Sequence, residues 1–63
     1  MRDLARALRT LPPLLREAVT LVGAQGLSYE EAAQVCGVPV GTMKARVSRA
    51  RRQLAAALDR VTG

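Results

Sequence analysis

The residue types on which proteins build reactive sites are scarce in this 63-residue chain. It has no histidine, no tryptophan and no phenylalanine, one tyrosine and one cysteine. A single cysteine, Cys36, excludes an internal disulfide and fits a reducing compartment, and without histidine neither a zinc finger nor a histidine-based catalytic site can form. With Tyr29 as the single aromatic residue, stacking on bases is nearly excluded. We therefore expect no enzyme, no metal site and no cofactor.

Long apolar runs are also missing. No segment approaches the roughly 20 apolar residues needed to span a bilayer, and residues 1–9 lack the apolar region of a secretory signal. We expect a protein that is neither exported nor inserted in a membrane.

Positive charge and small apolar side chains are abundant. Ten lysines and arginines against five acidic residues give a net charge of +5, which favours phosphate polymers or anionic surfaces as partners. A chain of this length forms one domain at most and buries only about 60% of the surface that it exposes when unfolded. Its apolar residues are mostly alanine, leucine and valine, which predicts close contacts between helices.

Periodicity and breaking residues predict four helices. The first covers residues 3–10, and Pro12 and Pro13 end it and open a second that runs to about Ala24. Apolar residues recur in this second segment at helical spacing, and Gly26 ends the connection that follows. These apolar residues are Leu15, Ala18, Val19 and Val22.

The middle of the chain has the signals of a helix-turn-helix. Ser28 and Glu31 have the spacing of a capping box at the start of a third helix, and Gly37 ends that helix. We expect Ala33, Val35 and Cys36 to face neighbouring helices, with Cys36 as a small buried apolar side chain and not a redox or metal centre, since it has no partner for either role. The two acidic residues of the first turn, Glu30 and Glu31, are explained by capping and the helix dipole and not by acid-base catalysis.

The fourth helix, from about Val40 to about Arg60, has two different faces. At about 100° per residue, four apolar residues fall within roughly 60° of one another and predict a packing stripe: Met43, Val47, Ala50 and Leu54. The opposite face carries Ala45, Ser48, Arg49 and Arg52. The spacing of Ala33, Gly37 and Met43 is that of a helix-turn-helix. We predict an all-α, compact four-helix domain without a sheet, whose helix-turn-helix depends on Ser28, Glu31, Ala33, Gly37, Met43 and Val47.

Basic runs are more often solvated helix faces than binding sites, but here the cations lie opposite and beside the packing stripe. We therefore predict a DNA-recognition helix whose base-edge residues are Lys44, Ala45, Ser48 and Arg49. Arg49 suits a bidentate contact with guanine. The predicted phosphate contacts are Thr42, Arg46, Arg51 and Arg52. Tyr29 either packs against the fold or reaches a phosphate with its hydroxyl.

Several motifs in this order resemble region 4, the C-terminal DNA-binding domain of extracytoplasmic-function (ECF) sigma factors. They are Leu11-Pro12-Pro13, Leu27-Ser28-Tyr29-Glu30-Glu31, Ala33, Gly37-Val38-Pro39-Val40-Gly41-Thr42 and Lys44-Ala45-Arg46-Val47-Ser48-Arg49-Ala50-Arg51. The resemblance implies a winged-helix-like helical domain that reads the minus-35 promoter element. It also implies docking on the beta-subunit flap of RNA polymerase, an anti-sigma factor as a further partner, and a location in the bacterial cytoplasm at the nucleoid.

The chain departs from that family at two base-reading positions. Ala45 stands where serine is common and Ser48 where histidine or an aromatic residue is frequent, so the preferred DNA sequence is expected to differ. The family's region 2, which melts DNA, is absent from these 63 residues. We expect a single region 4 domain, residues 1–63 with a core of about 8–58, that is a fragment of a longer sigma factor.

Two other functions fit parts of the pattern. The output domain of a two-component or quorum-sensing regulator has a similar turn, but such domains usually bind palindromic sites as dimers. A protein-interaction module would instead use an apolar surface between helices to capture a partner helix. A membrane-surface role for the fourth helix fits less well, because its apolar face lacks tryptophan and phenylalanine.

Overall fold

The computed structural model describes the backbone of residues 2–62 and the side chains of residues 4–59. Within this range the chain forms four helices and no strand, which confirms the predicted fold class. The helices are α1 (Arg2–Thr10), α2 (Pro13–Val19), α3 (Tyr29–Cys36) and α4 (Val40–Thr62). A π-helical turn, Thr20–Ala24, continues α2.

The two prolines separate α1 from α2 as predicted. At the end of α1 the Thr10 hydroxyl donates to the carbonyl of Ala7, at 2.6 Å. Pro12 is the N-cap of α2, and its carbonyl accepts from the amides of Leu15 and Arg16, each at 3.0 Å. Because proline has no amide hydrogen, it costs nothing at a helix start, where amides have no partner within the helix.

The helical segment that follows α2 is π-helical, which the sequence did not predict. The second helical segment does reach Ala24, but its last five residues are π-helical, and the Gln25 amide donates to the Thr20 carbonyl at 3.0 Å. Gly26 then takes φ +74, a left-handed conformation that glycine adopts without strain, and the chain turns towards α3.

The helix-turn-helix is held by two local motifs. At the start of α3 the Ser28 hydroxyl accepts from the Glu31 amide at 3.0 Å, and the Glu31 carboxylate accepts from the Ser28 amide at 2.9 Å. At its end Gly37 has φ +68, and the Val38 amide donates to the Ala33 carbonyl at 3.0 Å, as in a Schellman motif. Both predicted caps are confirmed, and together they fix where α3 begins and where it ends.

The core is small and centres on α4, which contacts α1, α2 and α3. One cluster of buried residues joins α2, α3 and the first half of α4: Ala18, Ala32, Ala33, Met43 and Val47. A second cluster joins Leu11 and Leu15, which lie on either side of the two prolines, to Ala50 in the middle of α4. Met43 and Ala50 are fully buried and Val47 is 1% exposed, with Leu54 half-buried beyond them. The predicted packing stripe of α4 is confirmed.

One prediction about α3 is wrong, and Cys36 is less buried than predicted. Val35 is 65% exposed, because it lies about 200° around the helix from Ala33, which faces α4. Cys36 is half-buried and has a partner, since its thiol donates to a carboxylate oxygen of Glu17 on α2 at 3.5 Å. Burial raises the pKa of the Cys36 thiol, the hydrogen bond to Glu17 and the negative charge of Glu17 raise it further, and the positive charge of Arg46 opposes this rise.

Alanine substitutions at Gly37 and Gly41 should change the free energy of unfolding in opposite directions. Neither has a neighbour that a Cβ atom would meet, but only Gly37 has a left-handed φ. We expect Gly37→Ala to lower the free energy of unfolding by roughly 1–2 kcal/mol. Gly41→Ala, inside α4, should raise it by about 0.4–1 kcal/mol through a less flexible unfolded chain. Urea unfolding followed by circular dichroism would measure both, and equal changes would contradict the assigned backbone geometry.

The raised pKa of Cys36 predicts a slowly reacting thiol at neutral pH. A higher pKa leaves less thiolate at a given pH. As the pH is raised, the rate of reaction with a disulfide reagent should therefore increase with a midpoint at higher pH than that of an unstructured cysteine peptide. Glu17→Gln removes the negative charge and should move this midpoint down. The pH profile of the reaction rate in both proteins is the measurement. A midpoint below the peptide's would contradict the raised pKa, and an unchanged midpoint in Glu17→Gln would show that Glu17 does not act on the thiol.

Candidate nucleic-acid interface

The predicted DNA-contacting residues lie on the solvent side of α4. All four residues predicted to meet base edges are exposed: Lys44, Ala45, Ser48 and Arg49. Of the residues predicted to bind phosphate, three are exposed, Thr42, Arg51 and Arg52, whereas Arg46 is half-buried. The structure therefore brings all eight to the accessible part of one helix.

The six residues predicted to hold the helix-turn-helix have the positions that this role requires. Ala33, Met43 and Val47 are buried together in one cluster. Ser28, Glu31 and Gly37 form the two caps of α3. The buried residues fix the rotation of α4 about its axis, and the caps fix its starting point.

Around the α4 axis the exposed residues form a centre and two edges. Ala45 lies almost opposite the buried stripe and Arg49 lies beside it, so these two residues would point deepest into a groove. Arg52 has a similar angle but lies about two turns further along α4 than Ala45, past the residues that would meet bases. Lys44 lies at one edge and Arg46 at the other, each about 70–90° from the middle of the buried stripe. A helix that enters a groove this way presents its centre to bases and its edges to the two backbones.

The edges of α4 are shared with α3, which crosses it. At the start of α3, Tyr29 is half-buried against the first core cluster, and the Lys44 ammonium nitrogen lies 5.8 Å from the centre of its ring. At the other end of α3, Arg46 is close enough to Cys36 for its charge to act on the thiol. The Tyr29–Lys44 contact was missed by the sequence reasoning, because the crossing of two helices leaves no periodic signal in one sequence.

The start of α4 is suited to an anion. Its first backbone hydrogen bond runs from the Met43 amide to the Pro39 carbonyl at 3.1 Å, so the preceding amides have no partner within the helix. Thr42 is exposed at this end, and the helix dipole places positive potential there. The first acidic residue of α4 is Asp59, near its far end, so the interface is positive along its length.

Other kinds of site find no support in the described part of the chain. Residues 4–59 contain no group of three or more histidine, cysteine, aspartate or glutamate side chains able to hold a metal ion. None of the described helices is both long and apolar enough to cross a membrane.

Comparison with known proteins gives a consistent result. Residues 1–54 match the family described as "Sigma-70, region 4". The chain is 60% identical over 52 residues to the ECF RNA polymerase sigma factor EcfG of Rhodopseudomonas palustris, covering 82% of this chain and 29% of that protein. It is 50% identical over 52 residues to the ECF RNA polymerase sigma factor SigE of Mycolicibacterium smegmatis, covering 82% of this chain and 20% of the relative.

Solved structures agree with the sequence matches. The sigma factor RpoE in complex with the anti-sigma factor NepR, from Bartonella quintana, superposes with a TM-score of 0.89 at 49% identity, covering 94% of this chain and 37% of that one. The RsbN-BldN complex gives a TM-score of 0.84 at 44% identity, covering 87% and 40%. The chain thus spans less than a third of the two curated relatives named above, and within that span it belongs to the Sigma-70 region 4 family.

Proposed function

We propose that this domain binds the minus-35 element of promoters in a sequence-specific manner, as region 4 of an ECF sigma factor that directs RNA polymerase to those promoters. The observation that carries the proposal is the two-sidedness of α4. Met43, Val47 and Ala50 are at most 1% exposed, while the cations on the other side are accessible to a duplex. A helix held in this way can enter a major groove without disturbing the core.

Within this interface the residues have different roles. Arg49, near the centre of the exposed face, hydrogen-bonds O6 and N7 of a guanine, while Ser48 can bond either kind of base and Ala45 meets a thymine methyl. Arg46, Arg51 and Arg52 bind phosphates and set the register of α4. Thr42 and the amides at the start of α4 bind one further phosphate.

The alternative of a regulator output domain has less support. Its resemblance to this chain rests on a four-helix layout with a similar turn, whereas the match to the Sigma-70 region 4 family extends over residues 1–54. A single asymmetric site in a footprinting experiment would favour the sigma-factor function. Two half-sites about one helical turn apart would favour the regulator.

Protein partners follow from the same proposal. RNA polymerase, through the flap of its beta subunit, is the partner that a promoter-reading domain needs in order to act in transcription. Capture by an anti-sigma factor is a second candidate function, because a similar solved structure is a sigma factor in complex with an anti-sigma factor. Exposed apolar side chains of Leu4 and Leu14 are available for such contacts.

These partners place the protein in the bacterial cytoplasm, at the nucleoid. No catalytic step is part of the proposal, because promoter recognition is a binding function and RNA polymerase performs the chemistry. The domain acts as one recognition module, residues 1–63 with a core of about 8–58, within a longer sigma factor.

Substitution of two arginines of α4, Arg49 and Arg46, should impair DNA binding in different ways. The duplex that the domain prefers would first be selected from a random library. The affinity of the domain for this duplex and for each of its single base-pair variants would then be measured by fluorescence anisotropy. Arg49→Ala should abolish the preference at one base pair, a discrimination of roughly 1–3 kcal/mol. Arg46→Ala should weaken all duplexes equally and lower the magnitude of the salt slope by about one, from a starting value of about four to five.

Arg9→Ala provides the matched control. It removes the same charge from an exposed position on α1, outside the helix-turn-helix, and should leave base preference unchanged and affinity nearly so. Equal weakening of selected and random duplexes by Arg49→Ala would contradict its role as a base reader. Binding of an anti-sigma factor without salt-sensitive binding of DNA would make protein capture the primary function.

A further inference from the structure

The contact between Lys44 and Tyr29 assigns Lys44 a different role from the one that its sequence position predicts. We infer that Lys44 binds a backbone phosphate at the α3 edge of the interface, and that Tyr29 is the positioning residue that holds its ammonium group there. This rests on the proposed DNA-binding function and concerns how that interface divides between base reading and backbone binding.

The position of Lys44 on α4 is the first argument. It lies about 90° from the middle of the buried stripe, whereas Ala45 and Arg52 lie nearly opposite that stripe. A side chain at this angle leaves the helix sideways, towards the wall of a groove. Arg46 has the corresponding place on the other edge and is already the natural phosphate contact there. Both edges of α4 therefore carry cations, Lys44 with Arg51 on one and Arg46 on the other, in positions suited to the two strands of a duplex.

The direction of the Lys44 side chain is the second argument. Its ammonium nitrogen lies 5.8 Å from the ring centre of Tyr29, the first residue of α3. In a helix-turn-helix the supporting helix crosses the DNA backbone, while the recognition helix reads bases. An ammonium group drawn to the start of α3 is displaced from the bases that Ser48 and Arg49 face, and lies where the backbone would pass.

The surroundings of Tyr29 make its ring a fixed platform. Tyr29 is half-buried and packs against the cluster that contains Met43 and Val47, which restricts the movement of its ring. The adjacent Glu31 carboxylate is engaged by the Ser28 amide in the capping box. Among the described side chains Lys44 contacts the ring and forms no ion pair. An aromatic ring orients the cation without neutralising its charge, which leaves that charge available to a phosphate.

Substitutions at both positions test this assignment on the selected duplex and its single base-pair variants. Lys44→Met should weaken binding to all of them by the same factor and reduce the salt slope by about one. Tyr29→Leu, which keeps an apolar side chain, should weaken binding by about two- to fivefold with base preference unchanged, the expected effect of an exposed cation–π contact. Tyr29→Phe should bind like the unmodified protein, because the ring remains.

The double variant decides whether the two residues act together. In the Lys44→Met background Tyr29→Leu should cause no further loss, because the cation that the ring orients is gone. Tyr29→pentafluorophenylalanine keeps the ring shape but reverses its electrostatic face, and should reproduce the loss seen with leucine. If Tyr29→Leu unfolds the domain, the pentafluorophenylalanine variant still tests the inference. Thermal unfolding of each variant shows whether the domain remains folded.

Specific results would overturn the inference. A change of base preference in Lys44→Met would show that Lys44 reads a base. A loss in Tyr29→Phe equal to that in Tyr29→Leu would show that the hydroxyl itself binds the phosphate, and additive losses in the double variant would show that the residues act independently. Each of these leaves the proposed function intact, provided that the unmodified protein binds DNA and Arg49→Ala loses its preference. Absence of salt-sensitive binding by the unmodified protein would overturn both.

Discussion

The burial of three side chains of α4, Met43, Val47 and Ala50, determines the rotation of this helix about its axis. Burying side chains of the size of methionine and valine contributes about 1.5–3 kcal/mol each. For a domain with a total stability of roughly 5–15 kcal/mol, this is a large share. Turning α4 by even one residue, about 100°, would expose these side chains and bury charged ones. The orientation of the exposed face is therefore a consequence of packing on the opposite side.

The small size of the core residues makes this arrangement possible. Ala18, Ala32 and Ala33 meet α4 through methyl groups, so the helices approach closely and the one long side chain between them, Met43, is fully enclosed. The capping box and the left-handed Gly37 set the length of α3 on either side of that contact. A longer or shorter α3 would move the start of α4, and with it the positive end of the helix dipole.

Stability and recognition depend on separate residues. The side chains at the centre of the exposed face, Ala45 and Arg49 among them, are exposed to solvent, so they can change with little effect on the fold. The edges are different, because Lys44 and Arg46 lie next to α3 and share surroundings with Tyr29 and Cys36. Changes at the centre should alter which bases are preferred, whereas changes at the edges should alter affinity for any duplex.

The sequence alone determined the local features of this protein. Helix boundaries and the buried stripe of α4 could be derived from signals that act between residues a few positions apart. These signals are Pro12, the capping box at Ser28, the glycine at position 37 and the period of the apolar residues. The tertiary structure alone decided that Cys36 meets Glu17 and that Tyr29 lies beside Lys44. These contacts depend on the angle and distance at which separate helices cross, and those are set by the sum of all the packing between them.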